Sequence, residues 1–260
     1  KDQNPGSGRG FNSPHLHHPM RKDPPTRWVF VFKRGWTSPK VNNGQVIISE
    51  PLDWLATNGR LAFEVIGTLA FALSGLIEAA RKKLDIVGMA MVTGLAAFGG
   101  GTLRDILLDR RPLFWVQYEF WLYAILAIAL FALLFVRSRH IEVTAQATQW
   151  PDALGLGIFS AGGTYIALDA GMPPLTAVLM GVITAVFGGV LRDIVVNEIP
   201  RAFNDHQPYS VLAFAGSWVV VFLHANGVNE VASIAAGTLV ITGLRLAAMI
   251  RGWRLPTWRV

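Results

Sequence analysis

Gly100-Gly101-Thr102-Leu103-Arg104-Asp105-Ile106 and Gly188-Gly189-Val190-Leu191-Arg192-Asp193-Ile194 are one pattern written twice, 88 residues apart. The same offset, without a gap, pairs Gly67 with Gly155, Phe71 with Phe159, Gly75 with Gly163, Ala97 with Ala185 and Pro112 with Pro200. That makes twelve identities in the 52 positions from Leu61 to Pro112, and it aligns the acids Glu64 and Asp152. A shared charged block with a proline at the same distance points to two halves of common ancestry.

Outward from the two motifs the chain reads as membrane. Hydrophobic residues make up 52% of it and charged residues 15%, with mean hydropathy +0.40, too apolar for a water-soluble domain. From Leu61 onward, apolar segments of the length a helix needs to cross about 30 Å of hydrocarbon recur. Seven spans are predicted, over 61–80, 86–108, 119–136, 152–168, 174–196, 209–225 and 230–250, separated by short Pro-, Gly- or charge-rich loops. The expected fold is an all-α polytopic membrane protein of seven transmembrane helices, two three-helix repeats and a last helix outside them. Three spans per repeat is an odd number, so the second unit enters the membrane from the opposite side. Inverted repeats recur in transport folds because exchanging two similar halves opens equivalent routes to either side.

The expected division is a basic, disordered tail over 1–58, repeat 1 over 59–140, repeat 2 over 149–227, and the seventh span with its C-terminal tail over 228–260. Seven of the fourteen prolines fall in the first sixty residues, beside His15, His17 and His18, a composition unable to bury a core. Seven crossings put the ends on opposite sides. Lys/Arg bias then predicts the C-terminus cytoplasmic and the N-terminus outside, because Arg81, Lys82, Lys83, Arg137, Arg139, Arg201, Arg251, Arg254 and Arg259 share one side. Trp115, Trp121, Trp150, Trp253 and Trp258 sit near span ends, as interfacial anchors do.

The net charge of +6 and pI of 10.0 come with no nucleic-acid recognition motif, and the basic residues outside the tail are explained by topology. Nucleic acid is therefore not expected as a partner. Cysteine is absent, which removes disulfide and thiolate chemistry. No nucleophile–base arrangement, metal-ligand cluster or phosphate loop is seen, so neither enzyme, metal site nor cofactor is expected.

The motif is costly in lipid. Glycine costs about 1 kcal/mol in a helix interior relative to alanine, and an Arg or Asp near the bilayer centre roughly 2.5–3.5 kcal/mol on insertion scales. Gly99, Gly100, Gly101, Gly188 and Gly189 can let a helix kink beside a polar path, or bring two helices into close contact. Arg104, Asp105, Arg192 and Asp193 can line an ion path or form a structural ion pair. Neighbours on a helix diverge, so the expected partners lie across the repeat, Arg104 with Asp193 and Arg192 with Asp105.

At this motif the chain resembles the prokaryotic trimeric intracellular cation (TRIC) channels, a family also catalogued as an uncharacterised membrane family and as a glycine-transporter domain. The resemblance covers about residues 58–250 and rests on the two glycine–Arg-Asp motifs, the seven spans and the three-plus-three repeat. It implies a homotrimer in the inner membrane, each subunit enclosing a pore bounded by the first, second, fourth and fifth spans, with the glycines at the kinks. Monovalent cations, chiefly potassium, would permeate, with membrane lipids as the other partner. Where eukaryotic members carry Lys-Glu-Val this chain has Arg-Asp-Ile, so their lipid regulation does not carry over. The alternative is a carrier for a small solute such as glycine.

Ser74, Thr93, Ser160, Thr164, Tyr165 and Thr184 are hydroxyls within those four spans and could replace water around a cation, although such groups also bond the preceding turn. Glu64 and Asp152 read as helix-start carboxylates favoured by the dipole, Glu78 as an interfacial partner of Arg81 and Lys82, and Arg245 as a snorkelling residue.

Overall fold

The structure, a computed structural model, describes residues 41–42, 45–46, 51–117, 120–135, 145–204 and 207–256. Two compact units are distinguished, 1–48 and 49–260. In the first, β1 (Val41–Asn42) pairs antiparallel with β2 (Gln45–Val46). The predicted histidine cluster and Trp258 lie outside the described residues.

The second unit is helical. Its elements are α1 (Pro51–Arg81), α2 (Ile86–Leu107), α3 (Phe114–Gln117), α4 (Phe120–Phe135), α5 (Ala145–Asp169), α6 (Pro174–Val195), α7 (Arg201–Asn204), α8 (Ser210–Ala225) and α9 (Glu230–Arg251). Four segments among the described residues, Gly59–Arg81, Ile86–Leu107, Pro174–Val195 and Glu230–Arg251, are long and apolar enough to cross a bilayer. Each of the seven predicted spans falls on one helix; α3 and α7 are short turns inside predicted loops.

Local chemistry sets the boundaries. The Asp85 carboxylate accepts from the Gly88 N–H at 2.7 Å to cap α2, and Asn229 caps α9 through the Ala232 N–H at 2.8 Å. Pro174 opens α6, where its missing N–H costs nothing. The ends of α2 and α6 are alike: Asp109 and Asn197, 88 residues apart, both take positive φ (49° and 56°). The following amides, of Arg110 and Glu198, return to the carbonyls of Asp105 and Asp193 at 2.7 and 2.9 Å. Asp and Asn tolerate this left-handed turn better than other non-glycine residues.

Two helices start earlier than the hydropathy suggests. Helix α1 begins ten residues before the predicted span and seven before the expected end of the tail. Helix α5 takes in 145–151, read as loop from Pro151, because Thr148 is buried and donates to the Glu78 carboxylate at 3.2 Å. Tertiary bonding outweighs the single lost backbone donor.

Helices α1, α2, α6 and α5 form a closed ring: each packs on the next, while α1 with α6 and α2 with α5 touch little across it. Helix α8 covers α5 and α6, α9 covers α5 and α8, and α4 lies on α2. Repeat mates pack in reciprocal fashion. A Cβ on Gly155 would meet the Phe71 ring at 2.9 Å, and one on Gly67 the Phe159 ring at 3.2 Å. A Cβ on Gly100 would lie 1.8 Å from the Thr184 carbonyl oxygen, and one on Gly188 2.4 Å from that of Ala96. In both pairs the residue numbers rise along one helix as they fall along the other, so α1 runs antiparallel to α5 and α2 to α6.

Trp150 and Trp253 are exposed near helix ends, as anchors should be, but Trp121 is buried inside the fold.

Candidate functional site

The motif glycines carry the helix crossing. Both α2 and α6 run unbroken through them. Gly100 and Gly188 sit where the two backbones meet, and Gly99 lies against the Leu191 side chain, with Gly188 beside it. Gly101 faces Phe114, and Gly189 faces Asp152 and Arg192. Close approach, not unwinding, is what the absent side chains permit here.

Cross-repeat charge pairing does not occur. Arg104 Nε donates to Asp105 Oδ1 at 2.9 Å, and Arg192 Nε to Asp193 Oδ1 at 2.8 Å. No ion pair joins Arg104 to Asp193 or Arg192 to Asp105 among the described residues. The antiparallel crossing explains this. Asp193 is level with Met91 on α2, and the rise from there to Arg104 is roughly 20 Å. Each Arg instead folds back on its neighbour, whose second oxygen ties down the next segment: Asp105 Oδ2 accepts from Phe114 N–H at 3.0 Å, and Asp193 Oδ2 from Arg201 N–H at 3.1 Å.

Each Arg-Asp unit recruits the aligned acid of its own repeat. Arg192 Nη1 donates to Asp152 Oδ1 at 2.8 Å and also to the Ser74 hydroxyl. Arg104 Nη2 stands 3.9 Å from Glu64. Both arginines are 1% exposed. Glu64 and Asp152 are thus ion-pair partners inside α1 and α5, not helix-start caps, because both helices begin several residues upstream of them. The two ends of the ring differ in tightness. At the Arg104 end, Arg110 joins Asp105 at 3.5 Å and Phe114 lies 5.8 Å from the Arg104 guanidinium.

At the Arg192 end the network widens. Glu78, fully buried, accepts from Arg201 Nη2 at 2.8 Å, from Arg81 Nε at 2.9 Å and from Thr148. The Arg81 pairing follows the sequence expectation; the links to α5 and α7 were not legible. Lys82 and Arg81 also hold Glu198, and these donors, Lys82 first, keep its carboxyl below the ordinary value of 4.5. Arg245 does not snorkel: it is buried 5.0 Å over the Tyr209 ring and donates to Gln207 at 3.0 Å.

The six hydroxyls divide. Ser74 joins Arg192 and Asp152. Thr93 is buried, its hydroxyl without a hydrogen-bond partner among the described residues. Thr164 and Thr184 donate to the carbonyls of Ser160 and Met180 one turn back. Ser160 bonds Ser217 of α8 at 2.9 Å, and Tyr165 packs edge-on to His224. Thr68, missed from sequence, is buried with an unpartnered hydroxyl one turn from Glu64. Its spacing from Glu64, i to i+4, was the available signal.

Two small cavities flank this interior. One, about 10 Å³, is lined by Asp152, Gly189, Arg192, Asp193, Arg201 and Tyr209 among others. The other, also about 10 Å³, is lined by Arg60, Glu64, Arg104 and Phe159 with apolar neighbours. Each has room for roughly one water. A larger cleft of about 710 Å³, lined among others by Phe98 and Gly99 of α2, Leu122 and Leu126 of α4 and Phe187 and Leu191 of α6, is apolar.

The family model described as glycine transporter matches residues 61–138 and 149–225. A UPF0126 membrane protein of Deinococcus radiodurans is 33% identical over 82% of this chain and 94% of its own length. The UPF0126 inner membrane protein YadS of Escherichia coli K12 is 33% identical over 75% of this chain and 94% of its own. Among solved structures, a TRIC trimeric intracellular cation channel orthologue from Rhodobacter sphaeroides superposes with TM-score 0.69 at 32% identity, covering 75% of this chain and all of that one. A second, from work on conductance through TRIC cation channels, gives TM-score 0.68 at 31% identity over 76% of this chain and 97% of its own.

Proposed function

Because this chain belongs to the membrane-protein family whose model is described as glycine transporter, and is similar over most of its length to TRIC cation channels, we propose that it is a channel passing monovalent cations, chiefly potassium. The path runs down the ring of α1, α2, α6 and α5 within one subunit, and the functional unit is a homotrimer in the inner membrane. Seven helices cross, as inverted repeats over 59–140 and 149–227 with the seventh span in 228–260. The antiparallel packing of the repeat mates supports the inversion, and the Lys/Arg bias supports an outside N-terminus.

The observation that carries this reading is the buried polar file inside the ring. Glu64 and Arg104 stand at one end, and Ser74, Asp152 and Arg192 at the other. The Thr68 hydroxyl between them and the Thr93 hydroxyl level with the Arg192 end have no hydrogen-bond partner among the described residues. A buried hydroxyl without a partner calls for water or an ion, and a hydroxyl-lined path can substitute for part of a cation's hydration. The motif glycines bring α2 and α6 close enough for small rearrangements to widen or seal it.

The glycine-carrier reading rests on the family description. A carrier needs a midplane site sized for its substrate, and cavities with room for about one water favour ions. Purified protein in liposomes separates the two: downhill, valinomycin-independent potassium efflux with no uptake of labelled glycine is expected, and saturable glycine uptake without potassium flux would overturn the channel reading.

A further inference from the structure

Midway between the two charged layers, α1 and α5 bring two aromatic rings together. Phe71 and Phe159, repeat mates on antiparallel α1 and α5, stack with ring centroids 5.4 Å apart and 10° between their planes. Both are buried. On α1, Phe71 lies seven residues beyond Glu64 and three before Ser74; on α5, Phe159 lies seven beyond Asp152. Seven residues return a helix to nearly the same face, so each ring shares a face with the carboxylate of its own helix. Ser74 meets Asp152, and Phe159 lines the cavity of Glu64 and Arg104. The two charged layers are ten residues apart on α1, roughly 15 Å, with the two rings between them.

We propose that the stacked Phe71–Phe159 pair is the permeation barrier, an apolar plug whose parting connects the polar cavity at Arg104 with that at Arg192. The inference rests on the channel reading above. A cation in either cavity has carboxylate oxygens nearby, but to pass it must shed water against two aromatic faces that offer no oxygen. Apolar constrictions of this kind gate by excluding water. Gly155 and Gly67 are part of the device: Gly155 leaves the slot in which the Phe71 ring rests, and Gly67 leaves room for Ile158 and the edge of the Phe159 ring. An ordinary packing pair needs no such reciprocal cradle, nor a position between two buried ion pairs.

The test measures potassium flux from proteoliposomes for wild type, Phe71→Ala and Phe159→Ala. Either truncation is expected to raise flux severalfold and weaken its dependence on voltage. As a control that keeps ring size, Phe71→His with Phe159→His brings two imidazoles face to face; zinc should block that double variant, with chelator reversing the block, at concentrations that leave wild type and both single variants conducting. This second arm holds if the alanine variants fail to fold. Wild-type protein that passes no cation defeats the channel reading and the gate with it. Wild-type flux that the folded alanine variants reproduce unchanged, or zinc sensitivity equal in single and double His variants, overturns the gate alone.

Discussion

Gly100 faces the backbone carbonyl of Thr184 so closely that a Cβ would sit 1.8 Å from that oxygen, and its repeat mate Gly188 stands in the same relation to Ala96. The obstacle is backbone, which cannot swing aside as a side chain can. Gly100→Ala should therefore separate α2 from α6 and destabilise by about 1–3 kcal/mol or more, the usual range of overpacking. Gly94→Ala on the same helix meets nothing within 4 Å and should gain up to about 1 kcal/mol from helix propensity. Thermal unfolding in detergent checks both; equal effects would refute the crossing argument.

Asp152→Asn should cost far more than Glu64→Gln. The first breaks a buried 2.8 Å pair with Arg192, for which removal of one partner costs about 3–5 kcal/mol. The second loosens a 3.9 Å contact to a carboxylate 22% exposed, where solvent screening leaves under about 1 kcal/mol. Asp152→Leu with Arg192→Met should be milder than the sum of the single changes, as unfolding midpoints of the four proteins would show.

The repeat, the helices and the chemistry of the motif were legible in the sequence because a duplicated Gly-Gly-x-Leu-Arg-Asp-Ile needs no structure to be seen. Its geometry was not. The cross-pairing of Arg104 with Asp193 fails because antiparallel helices that touch at Gly100 and Gly188 carry their following turns apart, a consequence that appears only once the contact is known. Thr148 was hidden by Pro151, a reasonable helix breaker overruled by a buried bond to Glu78. Phe71 and Phe159 were visible as aligned identities, yet an aromatic in an apolar segment carries no signal of facing its own mate.

The exposed Glu198 gives a pH dependence of definite sign. Hydrogen bonds from Lys82 and Arg81 lower its folded-state pKa below the ordinary 4.5, so its stabilising contribution is present above that value and is lost as pH falls through the folded pKa. Wild type should melt higher than Glu198→Gln at pH 7, the gap closing on acidification and shrinking with added salt. A gap independent of pH would contradict the assignment.

Thr68→Val and Thr93→Val should separate stability from function. Each replaces a buried, unpartnered hydroxyl by a methyl of similar shape, a change that is near neutral or stabilising for the fold. If these hydroxyls line the path, potassium flux should fall while melting temperature holds or rises. Unchanged flux in both variants would remove them from it.

The central claim, that one subunit encloses a cation path through the ring of α1, α2, α6 and α5, is tested most directly by the reversal potential of the purified protein in a planar bilayer under a potassium chloride gradient. The account predicts a current that reverses close to the potassium equilibrium potential. A reversal at the chloride potential, or a well-folded protein that carries no current across the accessible voltages, would contradict it.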